Sequence, residues 1–232
     1  MHRRLIPRRL AARRMVAVTS LVALIVLAGC GGVKLTPTPY FPHALVTQLP
    51  VRVGVVLTGD MRSFTHKETR SGVEWAITLG PGHQRLATEL FGALFRDPVI
   101  FTDMAAAKAA SGLAAIFEPR IEQFSFATAQ ETGGNYVAVT IRYRLILSTA
   151  TGELVDTFTL TGYGNSAAGG MSSGAPLELA IRAAMRDASA KFLVQFPDQP
   201  AAKMLANAQP LLAQTTASLA AAKDPIEAMP IK

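Results

Sequence analysis

Between Tyr136 and Ser148 apolar residues fall at every second position. Val137, Val139, Ile141, Tyr143, Leu145 and Leu147 share one side, while Thr140, Arg142 and Arg144 share the other. Strand side chains alternate across the backbone, so this period of two specifies a half-buried strand long enough to organise a sheet. The turn Thr149-Ala150-Thr151-Gly152 then sends the chain back through residues 154–163, which predicts a long antiparallel hairpin. Whatever else the chain does, it must cover the apolar side of that hairpin.

Two helices are available to cover it. Gly80-Pro81 marks a helix entry, because proline at the first helical position forfeits no hydrogen bond. Leu86, Leu90, Ala93 and Leu94 follow at helical spacing, with Arg85, Glu89 and Arg96 facing away and an end near Phe95. Residues 175–196 repeat the pattern: Leu177, Ile181, Ala184, Ala188 and Phe192 form a stripe opposite Glu178, Arg182, Arg186, Asp187 and Lys191, and Pro197 and Pro200 end it. Further strands are expected at 51–57, 73–79 and 99–101. Another at 112–127 contains Pro119, which demands an edge or a bulge, and a short helix is expected at 104–110. The fold class is therefore α+β: a mostly antiparallel sheet with two main helices packed on it, a two-layer sandwich. In it Tyr143 and Leu145 share one core with Leu86, Leu90, Ile181 and Phe192.

The N-terminus reads differently. Arg3, Arg4, Arg8, Arg9, Arg13 and Arg14 precede an apolar run over residues 15–28, and Leu27-Ala28-Gly29-Cys30 closes it. A basic region, an apolar core and a small-residue exit make a secretory signal. The run has 14 residues, which as helix reach about 21 Å and fall short of a hydrocarbon core of about 30 Å. Read without the six leader arginines, the chain has 17 Lys+Arg against 16 Asp+Glu, a formal charge of +1, so six of the seven positive charges in the net +7 belong to the leader. The remainder offers no basic surplus for nucleic acid. Residues 31–50 are Gly, Thr and Pro rich and read as a tether. The domain plan is thus a signal at 1–29, a Cys30 and Pro-rich tether over 30–50, an α+β domain over 51–197, and an Ala/Pro-rich tail over 198–232, partly helical or disordered.

No motif for an active site emerges. Gly162, Gly164 and Ala167 formally match a dinucleotide-binding loop, but they follow the second arm of a hairpin. Residues 162–174 are better read as a flexible Gly/Ser loop. The histidines at 2, 43, 66 and 83 are scattered and the chain has one cysteine, so no metal ligand set, cofactor site or intramolecular disulfide is expected. Residues 58–70 read as a polar loop whose Arg62, Lys67 and Arg70 are candidate partner contacts, against the plainer reading of a solvated loop. Arg142 and Arg144 are either simply exposed or line a partner-binding sheet face. Trp75, among apolar neighbours, reads as core.

Leu27-Ala28-Gly29-Cys30 resembles the lipobox of bacterial lipoprotein precursors. That resemblance implies lipidation at Cys30, cleavage before it and acylation of the new amine; Gly31, where an inner-membrane retention Asp would stand, implies the outer membrane with the domain facing the periplasm. With the element order, the chain also resembles CsgG-, PelC-, LpoB- and LptE-type accessory lipoproteins over about residues 51–196. This implies an accessory or assembly protein that meets the membrane through Cys30 and an envelope protein or its own copies through its domain, with no nucleic acid. A lipid- or glycan-binding lipoprotein is the alternative. Replacing Cys30 by Ser is expected to leave the precursor uncut or to release it from detergent-extractable membrane. Normal cutting and equal membrane retention of that variant would refute lipidation.

Overall fold

The computed structural model describes residues 32–38, 40, 46–169 and 174–213. The lipobox with Cys30, most of the signal-and-tether reading, residues 170–173 of the expected Gly/Ser loop and the tail from 214 lie outside the described residues. Among the described residues eight strands form two sheets. The strands are β1 (Val33–Leu35), β2 (Leu49–Val56), β3 (Thr65–Arg70), β4 (Val73–Thr78), β5 (Phe95–Phe101), β6 (Ala115–Ala127), β7 (Tyr136–Ser148) and β8 (Leu154–Ala167). The helices are α1 (Gly59–Arg62), α2 (Gly80–Leu94), α3 (Met104–Ala109), α4 (Gly174–Gln195) and α5 (Pro200–Ala206), with a 3₁₀ turn at Phe196–Asp198 between the last two.

The class is α+β. β7 spans the residues its alternation predicts, and its inward row from Val137 to Leu147 is buried. The larger sheet runs β5-β2-β6-β7-β8 and the smaller β1-β4-β3. The hairpin side of the large sheet, β6-β7-β8, is antiparallel, but β2 pairs parallel with both β5 and β6. The sheet is therefore more mixed than the local hairpins suggest. Parallel pairing needs a crossover: α1, β3, β4 and α2 fill the one from β2 to β5, and α3 the one from β5 to β6. Pro119 is accommodated because β2 covers β6 only at Ala115, Ile116 and Phe117, so that flank of β6 is open where the proline stands.

Both main helices lie on one face, where the core gathers in two clusters bridged by the half-buried Leu160. Phe91, Leu94, Phe117, Leu145, Leu147 and Phe192 belong to the first, and Leu86, Tyr143, Leu177, Ile181 and the inner residues of β4 to the second. The single core expected from the stripes is thus divided, and Leu90 is only half-buried. On the opposite face α3 packs Ala107 against Val56 and Ile116.

The domain is wider than 51–197. Val33–Leu35 pairs parallel with Trp75–Ile77, so the prolines that follow do not prevent a short edge strand ahead of them. Ala201, Ala202, Leu205 and Leu211 are buried in the first cluster, which makes the start of the expected tail part of the core. The polar loop at 58–70 is instead α1 and β3, and β3 pairs with β4 along its whole length. The strand had no apolar alternation to reveal it, because its inner row is His66, Glu68 and Arg70.

Gly162 to Ala167, expected as loop, continues β8. Its glycines serve packing. A Cβ on Gly162 would stand 2.1 Å from the carbonyl oxygen of Ala184, and one on Gly164 would stand 2.0 Å from that of Ala180. Helix backbone thus rests on strand backbone. Gly164→Ala is expected to cost about 1–3 kcal/mol, since neither main chain can yield without unpacking α4. Gly92→Ala, in the last turn of α2 with no atom within 4 Å of the new Cβ, should instead gain up to about 0.5–1 kcal/mol. Urea unfolding midpoints of the two variants check the contrast.

Candidate functional site

α1 begins at Thr58, whose hydroxyl accepts a hydrogen bond from the Met61 amide (3.4 Å), and Met61 is buried. The chain then enters β3, where side chains alternate between two surroundings. Lys67 and Thr69 face solvent. His66, Glu68 and Arg70 turn toward β6: the His66 ring lies 4.9 Å from that of Phe124, and the Arg70 guanidinium lies 4.7 Å above the Phe126 ring.

Arg70 is held from several directions. It sits 2.9 Å from the Glu68 carboxylate and donates to Glu131 in the β6–β7 turn at 2.8 Å. The hydrogen bond from His66 and the Arg70 charge keep the Glu68 carboxyl below its usual range. Glu131 is lowered too, first by the Thr128 amide and hydroxyl that it accepts. This network pins the small sheet to the far end of the long hairpin. Of the three cations singled out from the sequence, Lys67 is exposed, Arg62 is half-exposed at the end of α1, and Arg70 is engaged within the domain.

Behind β4 lies a polar pair that sequence patterning did not reveal. His83, in the first turn of α2, is fully buried, and its Nδ1 donates to the Leu79 carbonyl (2.8 Å). With that nitrogen protonated, Nε2 accepts from the Tyr143 hydroxyl, also at 2.8 Å. The apolar alternation of β7 marks Tyr143 as buried, but nothing local indicates which group answers its hydroxyl, 60 residues away in sequence. Burial lowers the His83 imidazole to about 4 and pushes the Tyr143 phenol up, so the pair is neutral. The pair borders a cavity of about 40 Å³ lined mainly by apolar groups, among them Met61, Leu86, Leu90, Leu145 and Leu160. At roughly 10–15 Å³ of such space for each water, it has room for a few waters.

At the other end of α4, the free edge of β8 is capped. The Tyr163 amide donates to Asp187 Oδ2 and Lys191 Nζ donates to the Thr161 carbonyl, both at 2.8 Å. Trp75 is buried with its ring 5.2 Å from Phe126, as core. No helix among the described residues is long and apolar enough to cross a membrane.

The molecule so defined is an α+β domain with a pinned accessory sheet. No protein-family model matches the chain, and no curated protein does. Solved structures similar to it include a protein of Caulobacter crescentus described as a lipoprotein, at 12% identity over 53% of this chain and 80% of that one, with a TM-score of 0.35. A Helicobacter pylori homologue of neuraminyllactose-binding hemagglutinin is similar at 9% identity over 74% and 97%, with a TM-score of 0.38. Lipoprotein GNA1162 of Neisseria meningitidis is similar at 10% identity over 53% and 88%, with a TM-score of 0.28.

The buried pair sets a pH dependence. An unfolded histidine takes up its proton near 6.5, whereas folded His83 resists protonation until about 4. Its contribution is therefore fully present above the unfolded value and is lost as pH falls from 6.5 toward 4. That loss amounts to about 3 kcal/mol. Tyr143→Phe, which leaves Nε2 buried and unpaired, is expected to cost about 1–3 kcal/mol at neutral pH. Urea unfolding of wild type and His83→Gln across this window should show a steeper acid loss in wild type, and equal slopes would contradict the assignment.

Proposed function

We propose that the chain is an outer-membrane lipoprotein, anchored by lipid on Cys30 with its domain in the periplasm. It works without catalysis, as an accessory or assembly protein held in an export or transport complex by protein contacts. The lipobox at the end of an Arg-rich leader supports the anchoring. The observation that carries the protein-contact reading is the outer edge of β3. Among the described residues this six-residue strand is bonded to β4 alone, so its other side keeps backbone groups free to pair there, with Lys67 exposed and Arg62 half-exposed. Lysine on such an edge repels indiscriminate pairing and admits a partner that answers its charge.

Photocrosslinkers placed at Lys67 and Thr69 of the full chain in cells are expected to capture a defined envelope protein or a second copy. Charge reversal at Arg62, together with a crosslinker at Thr69 and Lys67→Glu, should abolish that capture without lowering the melting temperature, because exposed charges contribute little to folding. Substitution of Arg70 should lower the melting temperature, since Arg70 holds the small sheet in place. Absence of any adduct along β3 would overturn the contact reading. Turnover of a substrate by the purified protein, abolished by one substitution that preserves the fold, would place the chain among enzymes.

A further inference from the structure

Val33, the first residue of β1, follows Cys30 by three residues. A chain of that length spans at most about 11 Å. Contact with the domain begins still earlier, at Gly32, where an added Cβ would stand 3.1 Å from the Glu74 carbonyl oxygen. Val33, Lys34 and Leu35 then pair with Trp75, Ala76 and Ile77, and Val33 and Leu35 pack on the second core cluster. Most of the Pro-rich stretch that reads as a tether therefore follows the first point of attachment in sequence. It does not separate Cys30 from the domain.

The chain arrives at a definite end of the two sheets. β1 runs parallel to β4, so Val33 stands near the start of β4, beside the turn that joins Arg70 to Val73. Arg70 reaches Glu131 in the β6–β7 turn, and Gly174 at the start of α4 has Val33 and Leu35 as neighbours. Two turns and a helix start thus gather around the point of arrival. The other turn of the long hairpin, Thr149 to Gly152, lies beyond the opposite end of β7, thirteen residues or about 43 Å away. Lys34 and Tyr136 are exposed at the near end. A lysine ammonium meets lipid phosphate, and a tyrosine, apolar in its ring and polar at its tip, suits the headgroup layer. Arg70 answers Glu131, but Glu74 is exposed, so the charges here supply no strong attraction of their own. The short link to Cys30 must set the placement.

We propose that the end of the domain formed by the β3–β4 and β6–β7 turns rests against the lipid headgroups, with Lys34 and Tyr136 in the headgroup layer and the Thr149 to Gly152 turn pointing away. The inference rests on the lipid anchor at Cys30. It also narrows the protein contact: β3 has six residues and is about 20 Å long, so whatever pairs with its edge is met close to the membrane.

The chain has one cysteine, which the lipid takes, so an introduced cysteine is the only free thiol. The processed full chain is reconstituted in vesicles of phosphatidylethanolamine and phosphatidylglycerol that hold a nickel-chelating headgroup lipid. It carries a spin label at Gln130→Cys in the near turn or at Thr151→Cys in the far one. Nickel is expected to relax the first label at least about fivefold more strongly than the second, which stands about 40 Å further along the sheet. Both labelled chains should melt with wild type, since both positions are exposed. Inserting Gly/Ser residues after Gly31, about ten of them, lengthens the link by about 17 Å on average and should bring the two labels close to equality. Equal relaxation in a chain without the insert that still floats with the vesicles would overturn the placement and leave the anchor standing. Loss of flotation would remove the anchor, and the placement with it. A contrast that survives the insert would overturn the short link as its cause.

Discussion

The approach of α4 to β8 sets the terms for the rest of the domain. Gly162 and Gly164 remove two side chains where the helix carbonyls of Ala184 and Ala180 come down on the strand. At that distance the inner stripe of α4 reaches β7, and Leu177, Ile181 and Ala184 become fully buried beside Val139 and Ile141. The same placement brings Asp187 and Lys191 to the margin of the sheet, where they take up backbone groups of Tyr163 and Thr161 that an edge strand would leave open. Burial opposes the Asp187 charge, but Lys191 and the Tyr163 amide outweigh it and keep the carboxyl below its usual range. The first residue of the helix, Gly174, lies near Val33 and Leu35, so the seat of β1 depends on the same contact.

That contact also explains where sequence reading succeeded and failed. β7 and the two main helices were legible because each buries one face and exposes the other, and the pattern follows the period of the element. The extension of β8 was misread because glycine is ambiguous: turn flexibility and close backbone approach ask for the same residue, and only the neighbouring helix distinguishes them. β3 was illegible for another reason. Its inner face satisfies charges on one another and on aromatic rings instead of burying aliphatic groups, so the strand looks polar on both sides. The parallel seating of β2 between β5 and β6 could not be read locally, because a crossover leaves no signature at either strand.

The candidate surfaces were legible to different degrees. Arg62, Lys67 and Arg70 were visible as charges, but their division between solvent and interior depends on the strand phase of β3, which the loop reading did not supply. Arg142 and Arg144 were visible as one face of one strand. Their companions Arg120, Thr159 and Thr161 come from register, including a bulge between Ile121 and Gln123 that brings Gln123 opposite Arg142. The His83–Tyr143 bond depends on two elements meeting across the core, and no single stretch of sequence records such a meeting.

The strand edges differ in how far they are closed. β5 is interrupted by Pro98, which has no amide to offer, α4 begins against β1, and Asp187 and Lys191 cap β8. Among the described residues β3 keeps a full-length edge, marked by Lys67. Long-range attraction adds little selectivity, because without the leader arginines the chain holds nearly equal numbers of basic and acidic residues. At physiological salt exposed charges act over about 8 Å, roughly the spacing of next-nearest residues on a strand. Any partner would therefore have to be matched by the few groups it touches, so near-neutrality of the whole domain gives weight to local placements such as Lys67 on an edge.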